Sequence, residues 1–239
     1  MTSLDLTLPT PAENLACDEA LLDQAEQHGG PSVLRCWESP SYFVVLGYAN
    51  RWREEVNVTA CQEENIPILR RCSGGGTVLQ GPGCLNYCLV LDMLKDGPLE
   101  TVTQTNRFIM RRNADALASL LARPIEVEGC TDLALGQLKF SGNAQRRRRR
   151  WLLFHGTILL DFDVQRIERA LRPPPRQPAY RRDRSHAEFL TQLKLPAAVV
   201  KQSLCAAWDA AEPAGDPAPS EIQRLVRERY GTEEWSFKW

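Results

Sequence analysis

Strand-like and helix-like segments follow one another along this chain without the regular strand–helix–strand alternation that builds a doubly wound parallel sheet. Short apolar runs suited to strands occur at 33–37, 42–46, 66–70, 85–91, 124–128, 132–135, 138–141 and 151–160. Apolar residues recur at helical spacing over 13–28, 51–64, 102–121 and 163–171, and over much of 186–230. Gly29-Gly30, Pro40 and the triple proline 173–175 supply stops between them. This interleaving predicts an α+β fold with a mixed, largely antiparallel sheet packed with helices. No internal repeat is present, so residues 1–239 read as one domain, with a core over 13–171 and a helical C-terminal part over 186–239.

A chain of 239 residues buries enough surface, roughly 70–75% of what its unfolded form exposes, to need no staples. The eight cysteines form no C-x-x-C pair, which argues against zinc-ribbon and thioredoxin-like roles and for reduced thiols in a cytoplasmic protein. The N-terminus lacks the basic cap and apolar run of a secretory signal, and no segment approaches the ~18 apolar residues of a membrane helix. Lys and Arg total 29 against 30 Asp and Glu, a net charge of −1. That balance hides a local net of +9 between Lys139 and Arg184, where 13 basic residues meet 4 acidic ones.

Three segments carry chemistry. In Arg70-Arg71-Cys72-Ser73-Gly74-Gly75-Gly76-Thr77-Val78, successive glycines let backbone approach a ligand, and two arginines can meet a phosphate or carboxylate. The same segment also reads as a flexible turn with solvated arginines. In Lys139-Phe140-Ser141-Gly142-Asn143-Ala144-Gln145, one lysine on a strand can stabilise negative charge, or can guard a sheet edge. In His155-Gly156-Thr157-Ile158-Leu159-Leu160-Asp161, a histidine enters an apolar strand as a ligand contact or as a satisfied core residue.

Taken in order, these motifs resemble the lipoate–protein ligase family of the biotin/lipoate ligase superfamily. Asn14-Leu15-Ala16 with Asp18-Glu19, Gly47-Tyr48-Ala49-Asn50, Gly83 with Asn86 and Tyr87, and Glu234-Trp235 extend the likeness. The resemblance implies the catalytic-domain fold of that superfamily and a reaction in which ATP, with Mg²⁺, activates lipoate or octanoate as an acyl adenylate. The acyl group then passes to a lysine of an acidic lipoyl-acceptor domain, in a dehydrogenase-complex subunit or a glycine-cleavage carrier protein. By the same resemblance Lys139 is the catalytic residue, contacting the acyl carbonyl and the α-phosphate. Gly74, Gly75 and Gly76 line the ligand path, and Arg71 and Ser73 bind the adenylate head. Arg70, Thr77, Asn86, Asp132, Ser141, Gly142, Asn143, Ala144, His155, Gly156 and Thr157 complete the binding wall.

The sequence departs from the family pattern in three places. Leu79-Gln80 stands where the family commonly shows His-Asp, and Gly129-Cys130-Thr131-Asp132 where many ligases carry Gly-Arg-Asn-Asp. The small C-terminal accessory domain of full-length ligases is not expected in this length, which implies either a separate accessory protein or transfer without activation. An alternative is an octanoyl- or lipoyl-transferase that takes its acyl group from acyl carrier protein through a cysteine, with Cys130 or Cys72 as candidates. The biotin-ligase Gly-Arg-Gly-Arg signature is absent. A third reading is a non-catalytic binding module. Arg146–Arg150 suits nucleic acid by charge, but it lacks an aromatic platform beyond Trp151, which argues against that partner. Over the lysine strand, the run would instead steer an acidic acceptor.

Overall fold

The computed structural model describes residues 1–239. Eleven strands form two sheets: β1 (Thr2–Asp5), β2 (Val33–Glu38), β3 (Phe43–Leu46), β4 (Ile68–Arg70), β5 (Val78–Gln80), β6 (Cys84–Asp92), β7 (Glu126–Glu128), β8 (Asp132–Leu135), β9 (Leu138–Arg147), β10 (Trp151–Leu159) and β11 (Glu212–Pro213). The large sheet has the order β11-β1-β2-β6-β10-β9-β8-β7 and the small one β4-β3-β5. Pairing is parallel for β11/β1/β2 and for β3/β4, and antiparallel at every other seam. The fold is therefore the mixed, largely antiparallel α+β arrangement expected from the interleaved pattern.

Helices cover both faces of the large sheet. α1 (Pro11–His28) starts where Thr10 and Glu13 close a reciprocal cap and Pro11 fits the first turn. Two short helices, α2 (Trp52–Glu55) and α3 (Val58–Glu63), follow β3. α4 (Val102–Leu121) opens on the same kind of cap, from Thr101 and Gln104. α5 (Val164–Ala170), α6 (His186–Phe189), α7 (Ala197–Ala207), α8 (Pro219–Leu225) and α9 (Glu233–Ser236) complete the chain.

β6 is buried along all nine residues because both of its faces are covered. Leu85, Tyr87, Leu89 and Leu91 pack toward α4 and α7, while Cys88 and Val90 pack toward α1. A third apolar cluster joins the small sheet to α3 and α5.

The structure corrects three local expectations. The helix predicted over 51–64 is broken, because Val56 pairs with Leu171 and Asn57 starts a new helix as its cap. β9 continues past 141 to Arg147, because β10 pairs with it through Leu152 even though its side chains turn polar. β1, too short to stand out in the sequence, adds a parallel strand beside β2. Arg146–Arg150 is not a free loop over the lysine. It lies at the far end of the β9–β10 hairpin, with Arg147 bound to Leu99 O at 2.7 Å, Arg148 to Asp23 at 2.5 Å and Arg150 to Asp92 at 2.6 Å.

Candidate active site

A cavity of about 550 Å³ opens between the large sheet, the small sheet and the segment 172–190. Its floor is a row of residues lying opposite one another on neighbouring strands. Trp37 faces Asn86, Asn86 faces Thr157, Thr157 faces Gly142 and Gly142 faces Asp132. The next row places Cys88 opposite His155 and His155 opposite Ala144. Residues far apart in sequence thus share one surface through strand register alone.

Lys139 enters this cavity from the start of β9. Its backbone is pinned by the amide of Thr191, which donates to Lys139 O at 2.8 Å. Its side chain lies over Gly142, where a Cβ would come within 2.9 Å of Lys139 Nζ. Asp132 Oδ1 holds the ammonium at 2.8 Å, and Tyr180 OH donates to the other carboxylate oxygen at 2.8 Å. Burial first, and then the Asp132 charge, push the Tyr180 phenol upward, so it stays protonated as a donor. One positive charge is thereby presented on the cavity wall in a fixed place.

Asn143 ties this wall together. Its amide donates to Thr131 O at 2.7 Å and to Ser141 Oγ at 3.1 Å, and Tyr87 OH donates to its Oδ1. Thr131 Oγ1 returns a bond to Asn143 O at 2.7 Å. The β7–β8 turn carrying Cys130 and Asp132 is therefore latched to β9.

A second polar chain runs from α1. Asp18 pairs with Arg35 at 2.6 Å and accepts from His155 Nδ1 at 3.1 Å. Burial alone would raise the Asp18 carboxyl, but Arg35 and His155 outweigh it and hold it below the usual carboxylate range. With Nδ1 donating, His155 Nε2 accepts the Ser73 hydroxyl at 2.6 Å. Ser73 Oγ in turn accepts from Arg71 Nε at 3.1 Å. Arg71 Nη2 donates inside the glycine turn, to Gly74 O at 2.6 Å and Gly76 O at 2.8 Å, and Nη1 donates to Val45 O on β3 at 3.3 Å. Burial brings Arg71 down to about 10, which leaves it charged at neutral pH.

Most of the residues singled out from the sequence line this one cavity: Lys139, Arg71, Gly75, Gly76, Thr77, Asn86, Asp132, Ser141, Gly142, Asn143, Ala144, His155, Gly156, Thr157 and Cys130. Ser73 and Gly74 sit just behind the wall, touching Arg71.

Two candidates are corrected. Arg70 points away, and its guanidinium binds the carbonyls of Gly47, Tyr48, Asn50, Trp235 and Ser236, clamping α9 to the loop after β3. Cys72 is buried in the apolar cluster under α1, where burial pushes its thiol up to about 12, the opposite of an activated nucleophile. Cys130 is the one exposed cysteine. Sequence reasoning missed Asp18, Trp37, Gln80, Arg172, Arg176, Arg181 and His186, which also line the cavity. The local net charge of +9 between Lys139 and Arg184 was the one signal that pointed to the three arginines. No cluster of three or more His, Cys, Asp or Glu side chains is placed to hold a metal ion.

The fold is that of lipoate protein ligase catalytic domains. A chain of the bi-partite lipoate protein ligase of Thermoplasma acidophilum, studied with its E2 lipoyl domain, superposes with a TM-score of 0.82 at 24% identity, over 99% of this chain and 95% of that one. A lipoate-protein ligase A solved with bound ATP superposes with a TM-score of 0.78, also at 24% identity, over 99% and 98%. Among sequence relatives, Octanoyltransferase LipM of Carboxydothermus hydrogenoformans is 27% identical over 95% of this chain and 94% of its own. A protein of Aeropyrum pernix named as a lipoate-protein ligase A is 34% identical over 71% of this chain, a match that spans 61% of that relative's length. Residues 10–206 match the profile of the lipoyl protein ligase A/B catalytic domain. This chain belongs to that family.

Proposed function

We propose that this chain activates lipoate as an acyl adenylate and transfers the lipoyl group to a lysine of an acceptor lipoyl domain. The observation that carries the reading is Lys139, held by Asp132 at 2.8 Å on the wall of a cavity large enough for an acyl chain and a nucleotide. In the first half-reaction the acyl carboxylate attacks the α-phosphate of ATP and pyrophosphate leaves. In the second, the acceptor amine attacks the acyl carbonyl and AMP leaves. Both place negative charge where a fixed ammonium stabilises it, and typical losses on removing such a group are about 10²–10³-fold.

Arg172, Arg176 and Arg181, which line the same cavity, suit the phosphates. Mg²⁺ would arrive with the nucleotide. Asp132, a lone carboxylate beside Lys139, fits a nucleotide-borne ion better than a cage made of protein ligands. The likeness to a chain of a bi-partite ligase studied with its E2 lipoyl domain supports a lipoyl domain as the acceptor.

A second reading has one observation in its favour. Cys130 stands exposed on the cavity wall beside Asp132, and an octanoyltransferase matches this chain nearly end to end. There the Cys130 thiolate would take the octanoyl group from a carrier-protein thioester, releasing the carrier thiol, and pass it to the acceptor lysine. The two are separated by supplying lipoate with MgATP, or octanoyl carrier protein without ATP, and weighing the acceptor domain by mass spectrometry. Lipoylation in the first mixture is the expected result. Acylation only in the second, abolished by Cys130→Ser, would establish the transferase instead.

A further inference from the structure

Three carboxylates line the cavity, and two of them face cations: Asp18 pairs with Arg35, and Asp132 with Lys139. The third, Glu55, has neutral partners. It is the last residue of α2 and 8% exposed, and its Oε2 accepts from Thr77 Oγ1 at 2.6 Å and from Asn50 Nδ2 at 2.5 Å. Asn50 Nδ2 also donates to Thr77 Oγ1 at 3.1 Å, so the three side chains close a ring. A carboxylate is an unexpected neighbour for the phosphates this cavity suits, since like charges repel. Its place there needs a use of another kind.

The ring sits where separate parts of the site meet. Thr77 ends the glycine turn, and Asn50 belongs to the loop after β3. The Glu55 carbonyl accepts the Arg172 amide at 2.9 Å, at the start of the segment that carries Arg172, Arg176 and Arg181. The same loop grips the other end of the turn, where the Tyr48 amide donates to Ser73 O at 2.8 Å. Loop and turn also touch at their centres, since a Cβ at Gly47 would lie 2.1 Å from Gly75 O. Gly74, Gly75 and Gly76 are exposed between these ties. Glycines have little conformational preference of their own, so the ties set the place of the turn.

Resting on the acyl-transfer reading above, we propose that Glu55 is a positioning residue: through Thr77 and Asn50 it holds the glycine turn in place for the acyl adenylate, in register with the arginines of 172–181. A carboxylate suits the task because one oxygen receives both donors, and hydrogen bonds to a charged group are roughly twice as strong as neutral ones. The Thr77 hydroxyl is thereby committed to the ring and braces the turn. Lys139 stands on β9, outside the ring. Loss of the ring therefore loosens the hold on the ligand more than it slows the chemical step.

Synthetic lipoyl-AMP with an acceptor lipoyl domain, followed by intact mass, tests this without the activation half-reaction. Glu55→Ala raises the KM for lipoyl-AMP about tenfold, the worth of one hydrogen bond to a charged group, and keeps kcat within about twofold. Glu55→Gln, whose amide oxygen accepts from the same two groups, restores most of the KM. Thr77→Val raises the KM as well, and adding it to Glu55→Ala brings no further rise, because both changes open one ring. Should Glu55→Ala not fold, Thr77→Ser against Thr77→Val makes the same comparison, since serine keeps the hydroxyl and valine loses it. A wild-type KM in Glu55→Ala, a Glu55→Gln as impaired as Glu55→Ala, or independent losses from the two sites overturns the positioning role and leaves acyl transfer standing. No transfer from lipoyl-AMP by the wild type overturns both.

Discussion

A Cβ at Gly156 would lie 1.6 Å from Asn143 Oδ1 and 3.0 Å from the Tyr87 ring. The glycine after His155 is thus required by the side chain that crosses it, the same Asn143 that latches the Asp132 turn to β9. Gly156→Ala has to displace Asn143, and overpacking of this kind costs about 1–3 kcal/mol. The expected outcome is a fall of that size in unfolding free energy, measured by urea denaturation, together with slower acceptor acylation. Unchanged stability would show that Asn143 moves freely and is no latch.

The residues that chemistry needs in a local pattern were legible from sequence: Lys139 with its small polar followers, the His155-Gly156 pair and the glycine turn. Asp18, Trp37 and Gln80 were not, because each reaches the cavity from a different element and only register brings them together. Arg70 misled for a related reason. An arginine beside a glycine turn reads as a ligand contact, and only the fold shows five carbonyls from 47–50 and 235–236 already converging on it.

Among the elements, α6 shows how a single turn of helix is held against the site. Ser185 and Glu188 close a reciprocal cap at its start, and His186 turns inward to the cavity wall. Glu168 accepts the His186 backbone N–H at 2.9 Å, while Arg181 and Lys139 bring positive charge from the other elements facing the ring. Burial first, and then Arg181, lower His186 from 6.5 to about 4. The unfolded chain therefore takes up this proton more readily than the folded one. The resulting stability is complete above about pH 6.5 and is lost as the pH falls toward 4. His186→Gln should flatten the acid limb of a melting-temperature profile between those values. An identical slope in the variant would mean that His186 does not titrate with unfolding.

Over the whole molecule, the near-neutral total conceals two different uses of positive charge. Arg147, Arg148 and Arg150 are committed to carbonyls and carboxylates at the end of the β9–β10 hairpin, where they hold the sheet against α1 and the start of α4. Arg172, Arg176 and Arg181 are the ones that line the cavity that Lys139 enters. A run of five arginines looks like the obvious anion site in a linear reading, but the hairpin carries it away from the lysine. None of the chain's helices is long and apolar enough to cross a membrane.

The central claim is that Lys139, fixed by Asp132 and Tyr180, stabilises the charge that develops during acyl transfer. It is tested most directly by the rate at which Lys139→Ala modifies an acceptor lipoyl domain supplied with lipoate and MgATP, followed by intact mass. A loss of about 10²–10³-fold with an unchanged melting temperature is the predicted result. Modification at the wild-type rate would contradict it.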